Sequence, residues 1–441
     1  MKKVLIITNL YHSSPRIIGL TKYLPEFGWE PTILTIPIDK VSQNTLGDPQ
    51  KILKKVRIVE TPYRGDIFWF WRRIFKLLGF RTNKSILTQT KEKIGITSQK
   101  SFIDSLFNLC RTFFNLYRTF FAYPDEEKNW KNPALKVASE LLTKERFDAI
   151  ISSSSPVTSH IIANNLKQKY KIPWVADLRD LWTQNHNYPY PHWRKIFEER
   201  LEVKTLQIAD TLVTVSPIWA EKLKMLHKRE TVHTLTNGFD PEKVNVSPAK
   251  LTSKFTITYT GQIYTGKQDP VKFLIVLNNL ISDKIINPKD IEVRFYGWEE
   301  IWLKNEIEKY NLSSIVKQFG QVSREVALKK QWESQLLLLL NWEDPKEKGV
   351  YTGKVFEYLA ARRPILVTGG YGNDILEELI KETKVGVYCP KIEDIKKALK
   401  DFYLEFKQKG RVGYAGDWGK IEKYSYREMA RKFAEILNKI T

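Results

Sequence analysis

Short apolar runs alternate with stretches of helical periodicity along almost the whole chain, the pattern produced by helices crossing over a mostly parallel sheet. In the first half, runs at 4–8, 32–36, 58–61, 149–152, 174–176, 211–215 and 232–235 read as strands, and 17–27, 134–142 and 157–170 as helices between them. The pattern then restarts, with strands at 255–259, 291–296, 336–340, 365–367 and 385–388 and helices at 271–281, 301–310 and 355–361. Two successive sheets require two domains. Asn237-Gly238, Pro241 and Pro248 interrupt regular structure between them. The expected units are therefore 1–240, 241–420 and a helical C-terminal segment, 421–441, packing back towards the first domain. In doubly wound sheets ligands lie beyond the carboxyl ends of the strands, so the loops that follow strands are where chemistry is sought, around a cleft between the domains.

Several such loops carry suitable groups. After the strand at 255–259 comes TGQIYTGKQDP, in which Gly261 and Gly266 let backbone amides approach an anion and Lys267 supplies a point charge. The combination suits a pyrophosphate; a tight turn with one surface lysine is the plainer alternative. Gln268 after Gly266-Lys267 breaks the Walker A ending. In KGVYTGKVFEYLAARRPILV, Gly349 and Gly353 precede a helix carrying Lys354 and Glu357. A helix N-terminus favours phosphate oxygens, and a carboxylate one turn inside can accept two ribose hydroxyls, unless Glu357 is an ordinary helix residue.

In the first half, IPWVADLRDLW places Asp177, Arg179 and Asp180 at a strand end. Two carboxylates around a guanidinium can hold an acceptor hydroxyl or serve as a base; the alternative is a structural salt bridge with an N-cap. Just upstream, SSSSPVTSH presents Ser154 and His160, where hydroxyls could bind sugar, although a lone histidine is more often structural. The loop at 9–16 places Arg16 to meet an anionic acceptor or the donor phosphate.

Charge adds to this picture. Lysine plus arginine outnumber aspartate plus glutamate by 71 to 50, a net charge of +21, which attracts phosphates, nucleic acid or anionic lipid, or reflects a generically basic proteome. No nucleic-acid-binding module is recognisable, and no nucleic-acid partner is expected. Two distant cysteines, Cys110 and Cys389, imply neither a disulfide framework nor a zinc site and fit a reducing cytosol. MKKVLIITNLYHSSPR begins like a signal peptide, but its apolar run of about six residues is too short for one and reads as a buried strand. No run reaches the roughly 18 apolar residues that span a bilayer. The stretches at 67–78 and 102–121 interleave aromatics with Arg72, Arg73, Lys76, Arg111 and Arg118, as membrane-surface helices do, or as helices packed on the domain core do. The sequence lacks a Ser-His-Asp elbow, an HExxH or EF-hand motif and a G-x-G-x-x-G after the first strand, which weighs against hydrolase, metalloprotease and NAD-dehydrogenase readings. No DxD-like pair is placed to hold a metal with a diphosphate, so no cofactor or metal is expected and lysines with a helix end must neutralise the leaving group.

The ordered set VLIITNLYHSSPR, PDEEKNW, WVADLRDLW, TVSPIWAEKL, LTNGFD, YTGQIYTGKQDP and TGKVFEYLAARRPIL resembles glycosyltransferase family 4 over nearly the whole chain. The resemblance implies the GT-B fold, two doubly wound Rossmann-like α/β domains facing a central cleft. It implies a retaining hexosyltransferase that moves sugar from a nucleotide-sugar donor to a lipid-linked or polysaccharide acceptor in cell-surface glycan synthesis; the cysteine usage and the aromatic-basic stretches add the cytoplasm, at the inner face of the plasma membrane, as the expected location. Of the family's two glutamates separated by seven residues, Glu357 matches the second and Gly349 stands at the first, a departure for which Glu347 is a misaligned substitute. Gln262 falls where many relatives carry a phosphate-binding arginine and Lys267 near their lysine, which makes Lys267 and Lys354 the candidates for the diphosphate. The expected donor site thus comprises Gly261, Gln262, Lys267, Gly297, Gln321, Gly353, Lys354 and Glu357, with Asp177, Arg179 and Asp180 catalytic and Arg16, Ser154 and His160 on the acceptor. A nucleotide-sugar epimerase of similar architecture, or a non-catalytic nucleotide-sugar-binding subunit, remains the alternative.

Overall fold

The apolar runs pair into two separate, wholly parallel sheets. The structure, a computed structural model, describes residues 1–10, 15–38, 56–63, 65, 66, 68, 112, 116–244 and 250–441. The first sheet contains β1 (Lys2–Ile7), β2 (Trp29–Thr35), β3 (Arg57–Glu60), β4 (Ala149–Ser154), β5 (Trp174–Leu178), β6 (Thr211–Thr214) and β7 (His233–Thr234), in the order β3-β2-β1-β4-β5-β6-β7. The second contains β8 (Phe255–Thr260), β9 (Ile291–Tyr296), β10 (Val316–Gln318), β11 (Leu336–Leu340), β12 (Ile365–Thr368) and β13 (Gly386–Cys389), in the order β10-β9-β8-β11-β12-β13. Helices cover both faces of each sheet, so β11 is a continuous apolar run in which every residue of Leu336–Leu340 is buried, and β8 is buried throughout although its FTITYT alternates apolar residues with threonine.

The first domain carries α1 (Pro15–Tyr23), α2 (Lys131–Lys144), α3 (Thr158–Tyr170), α4 (His192–Leu206) and α5 (Pro217–His227). The second carries α6 (Val271–Ser282), α7 (Ile301–Lys309), α8 (Arg324–Trp332), α9 (Gly353–Ala361), α10 (Ile375–Thr383), α11 (Ile392–Lys409) and the short α12 (Trp418–Ile421). The sequence reading did not mark β10, whose VKQ has a single buried residue, nor α8, whose sequence REVALKKQW buries only Gln331. β10 lies at the sheet edge and α8 buries a single, polar residue, so little apolar surface is hidden in either and the pattern is correspondingly faint.

In each sheet the order reverses beside the first strand, between β1 and β4 and between β8 and β11, which opens a crevice at the carboxyl ends. The linker returns to the second domain, where Phe239 and Val244 join a core with Leu337, Phe356 and Ile421. The last helix, α13 (Tyr426–Ile440), leaves that domain and lies on the first. Ser425 caps it by accepting the Glu428 N–H (3.1 Å). Its apolar stripe, Tyr426, Met429, Ala430, Phe433, Ala434 and Leu437, is buried with Ile17, Leu20, Val4 and Ile6. A methyl group added at Gly19 would lie 2.2 Å from Cγ of Tyr426, so the crossing of α1 and α13 depends on that glycine.

Candidate functional site

The carboxyl edge of the first sheet is built around a buried ion pair. Parallel register sets Ser153 of β4 beside Asp177 of β5. Arg16, at the start of α1, donates to both oxygens of Asp177 from Nε (3.2 Å) and Nη2 (2.9 Å), and Ser153 Oγ donates to Oδ2 (2.9 Å). Arg16 Nη1 also donates to the Thr236 carbonyl (2.8 Å), which ties α1 to the interdomain linker. Both side chains of the pair are fully buried. Arg16 and Asp177, expected to face an acceptor, therefore face each other, because an interior carboxylate needs a cation with well-matched donors. His160 is also interior: its Nδ1 shares a 2.7 Å hydrogen bond with Ser152 Oγ, and burial lowers its pKa to about 4. It is a neutral part of the domain core.

Arg179 is nearly buried and donates to the carbonyls of Ser154 and Ser155, shaping the loop after β4; burial lowers its pKa. Asp180, the next residue, is exposed. With Ser154, Asp125, Trp182, Tyr188 and Tyr190 it lines a cavity of about 400 Å³. The loop at 179–191 forms one wall. Asp125 forms part of another, accepting the Thr158 N–H (2.7 Å) and hydroxyl (2.8 Å), and burial raises its pKa to about 6. The Asp180 carboxylate thus lies on the wall of a hollow with hydroxyl and aromatic neighbours.

Across the cleft, the turn after β8 and the start of α9 come together. Gly261 has φ +113, and a Cβ there would lie 2.3 Å from Cε of Lys354, so the lysine stem crosses the bare glycine backbone. Lys354 Nζ donates to the Gln262 carbonyl (3.1 Å) and lies 5.2 Å from the ring centre of Tyr259. Burial depresses its pKa to about 8, against the pull of Glu357. Gly297 fits directly against Gly261, whose carbonyl oxygen would be 2.2 Å from an added Cβ. Gly353, first residue of α9, faces open space.

Glu357 forms an ion pair with Arg324 of α8 (2.9 Å) and accepts from Gln331 (3.5 Å). Lys267 stands at the far end of the same turn, with Nζ 3.9 Å from Asp344. Tyr264 connects the two cations: its carbonyl accepts the Lys267 N–H, and its ring centre is 6.0 Å from Lys354 Nζ. Gln262 and Gln321 are exposed. Lys354, Glu357, Gly261, Gly297 and Gly353 thus share one neighbourhood, with Lys267 at its rim.

The sequence reading missed Arg324, which no motif marks. It also left unexplained Gly349, where the family pattern has a glutamate. A Cβ at Gly349 would be 2.7 Å from Cδ1 of Trp219, so an indole from the first domain occupies that space. The Glu347 carboxylate is taken up by other partners: it accepts from Trp219 Nε1 (3.2 Å), Lys222 Nζ (3.0 Å) and the Gly349 N–H (2.9 Å). Of the stretch at 67–78 only Phe68 is described, and of 102–121 only Thr112 and 116–121; Arg72, Arg73, Lys76 and Arg111 lie outside the described residues. Among the described residues no helix is long and apolar enough to cross a membrane.

Residues 111–243 match the family model described as Glycosyltransferase Family 4. No curated protein matches the chain. Among solved structures, a glycosyltransferase from Rickettsia africae is similar at 15% identity and TM-score 0.57, covering 100% of this chain and 98% of its own. Sucrose-phosphate synthase from Thermosynechococcus elongatus is similar at 12% identity and TM-score 0.54, covering 99% and 95%. HepE from Anabaena, solved in complex with UDP and glucose, is similar at 12% identity and TM-score 0.53, covering 100% and 97%. Residues 111–243 thus resemble glycosyltransferase family 4, and over its whole length the chain has the GT-B architecture of these solved structures.

Proposed function

We propose that this glycosyltransferase takes a nucleotide-sugar donor on its second domain and passes the sugar, with retention of configuration, to a lipid-linked or polysaccharide acceptor held by the first. The supporting observation is Lys354, a half-buried cation laid across Gly261 beside Glu357, at a helix N-terminus that opens onto free space at Gly353. The diphosphate meets Lys354, Lys267 and the first-turn amides of α9, which stabilise the negative charge that grows on the leaving group without calling on a metal. Glu357 accepts the ribose hydroxyls once it is shared with or released by Arg324, and the base lies over the edge formed by Gly297 and Gln321. The acceptor enters the cavity beside Asp180, whose carboxylate holds the attacking hydroxyl, while Arg16, Asp177 and Arg179 position the strand ends beneath it.

The lipid-linked acceptor draws support from an apolar patch on the first domain. Phe120, Trp193 and Phe197 are 59%, 46% and 54% exposed, Phe120 lies 5.6 Å from Trp193, and Arg200 stands over the Phe197 ring. Aromatic and basic groups so mixed suit the headgroup region of an anionic bilayer, at the cytoplasmic face in a synthetic pathway for cell-surface glycans.

The test incubates the protein with a panel of nucleotide sugars, with and without a membrane-lipid extract, and reads release of nucleoside diphosphate and the anomeric form of the product. Acceptor-dependent release is expected, and Lys354→Ala or Glu357→Gln should reduce it by about 10²-fold or more. Conversion of donor without acceptor would mark an epimerase, and full turnover in both variants would sink the assignment.

A further inference from the structure

We propose that Glu347 is an interdomain clasp. It fastens the loop between β11 and α9 to α5 of the first domain and thereby fixes the gap across which the sugar passes. The clasp itself stands on geometry; only its effect on transfer rests on the function proposed above.

The loop at 341–352 leads directly into the helix that carries Lys354 and Glu357. Near its middle, Glu347 is 6% exposed, with both carboxylate oxygens engaged. Oε1 accepts the Gly349 N–H of its own loop (2.9 Å) and the Trp219 indole N–H (3.2 Å), and Oε2 accepts from Lys222 Nζ (3.0 Å). Trp219 and Lys222 are three residues apart on α5 and so present one face to the carboxylate. The contact is therefore two-pronged, one neutral donor and one charged, from the opposite domain. An interior carboxylate left without those donors would have to be rehydrated, so the loop cannot leave α5 without loss.

Two neighbours close the contact. Gly349 leaves the space that the indole fills, with Trp219 Cδ1 only 2.7 Å from where a Cβ would stand. From the loop after β5, His186 sets its ring edge-on to Trp342 (5.2 Å) with Nδ1 3.8 Å from Glu347. His186 also lines the cavity beside Asp180, so one residue touches both the clasp and the acceptor side. The position at which the family pattern has a glutamate is thus occupied by the fastening of one domain to the other. Glu347, its oxygens committed, acts as a positioning residue and not as a ligand of the donor sugar.

The experiment compares wild-type protein with Glu347→Ala, Lys222→Ala and Lys222→Arg, by small-angle X-ray scattering and by amide hydrogen exchange of 345–352 and 216–222. Glu347→Ala and Lys222→Ala should enlarge the radius of gyration and speed exchange in both segments at least tenfold, while Lys222→Arg stays close to wild type. Affinity for UDP, measured by calorimetry, should change less than twofold, whereas kcat/KM for acceptor falls about tenfold or more. Lys222 is partly exposed, so its variants remain readable if Glu347→Ala fails to fold. Wild-type scattering and exchange in both alanine variants would overturn the proposal. So would loss of UDP binding with the domain arrangement unchanged, which would make Glu347 a donor ligand. If wild-type protein binds no nucleotide, the donor reading fails, while scattering and exchange still decide the clasp.

Discussion

Lys354 sits with its ammonium beside the Tyr259 ring and on the Gln262 carbonyl, where burial lowers its pKa to about 8. The direction carries two consequences. The unfolded chain keeps this proton up to the ordinary lysine range near 10.5, so unfolding takes up a proton between about pH 8 and 10.5. Burying Lys354 therefore lowers stability at neutral pH, and the penalty fades as pH rises through that window. Binding moves oppositely: an anion needs the charged form, so affinity for the nucleoside diphosphate of the proposed donor should fall by about tenfold per unit above pH 8. Calorimetric titration from pH 7 to 9.5 measures this, and Lys354→Arg should remove the dependence. Gly349→Ala is a second expectation at this scale: with Trp219 Cδ1 2.7 Å away, overpacking should cost about 1–3 kcal/mol, read by urea unfolding, and much less when combined with Trp219→Leu. The glycine's departure from the family pattern was legible in the sequence, but its cause was not, because the indole comes from a helix far away in the chain.

Among elements, α3 and α13 show what periodicity can and cannot announce. His160 on α3 was visible as a candidate for the acceptor, yet only packing reveals that its ring is enclosed, with a pKa near 4. On acidification the unfolded chain binds a proton near pH 6.5 that the folded protein refuses until about pH 4, so stability declines through that interval. The decline should reach about 2–3 kcal/mol by pH 4.5 and be smaller in His160→Gln, with denaturant unfolding at pH 7 and 4.5 as the measurement. The amphipathic stripe of α13 was equally legible, and its burial against α1 agrees with an apolar face needing cover. Phe433→Ala should cost about 3–5 kcal/mol, since the ring is fully buried in that seam. Similarly, Arg16 and Asp177 were both readable as charges at strand ends, but their mutual bond joins residues 161 positions apart, which no local pattern encodes.

For the whole molecule, the repeat of strands and helices foretold two parallel sheets because strands covered on both faces, such as Leu336–Leu340, stand out as short apolar runs between helical stretches. What the chain did not disclose was the join between them, made by single side chains such as Glu347 and Trp219 whose neighbours are set by tertiary structure. Net charge belongs to this scale too. With +21 overall and an exposed patch at Phe120, Trp193 and Phe197, the protein should float with vesicles of mixed phosphatidylglycerol and phosphatidylethanolamine and dissociate as salt rises. Substituting all three aromatics by serine should weaken flotation severalfold at low salt. Equal flotation of the triple variant would place membrane contact elsewhere.

The return of α13 to the first domain means that the boundary between folding units does not coincide with any single cut in the polypeptide. A fragment ending at residue 236 would leave Ile17, Leu20 and their neighbours bare to water, and it should clump when expressed alone. Supplying residues 422–441 as a separate peptide should cure that fragment. The enzyme is therefore suited to being divided and reunited, with α13 as the detachable piece on which solubility of the other depends.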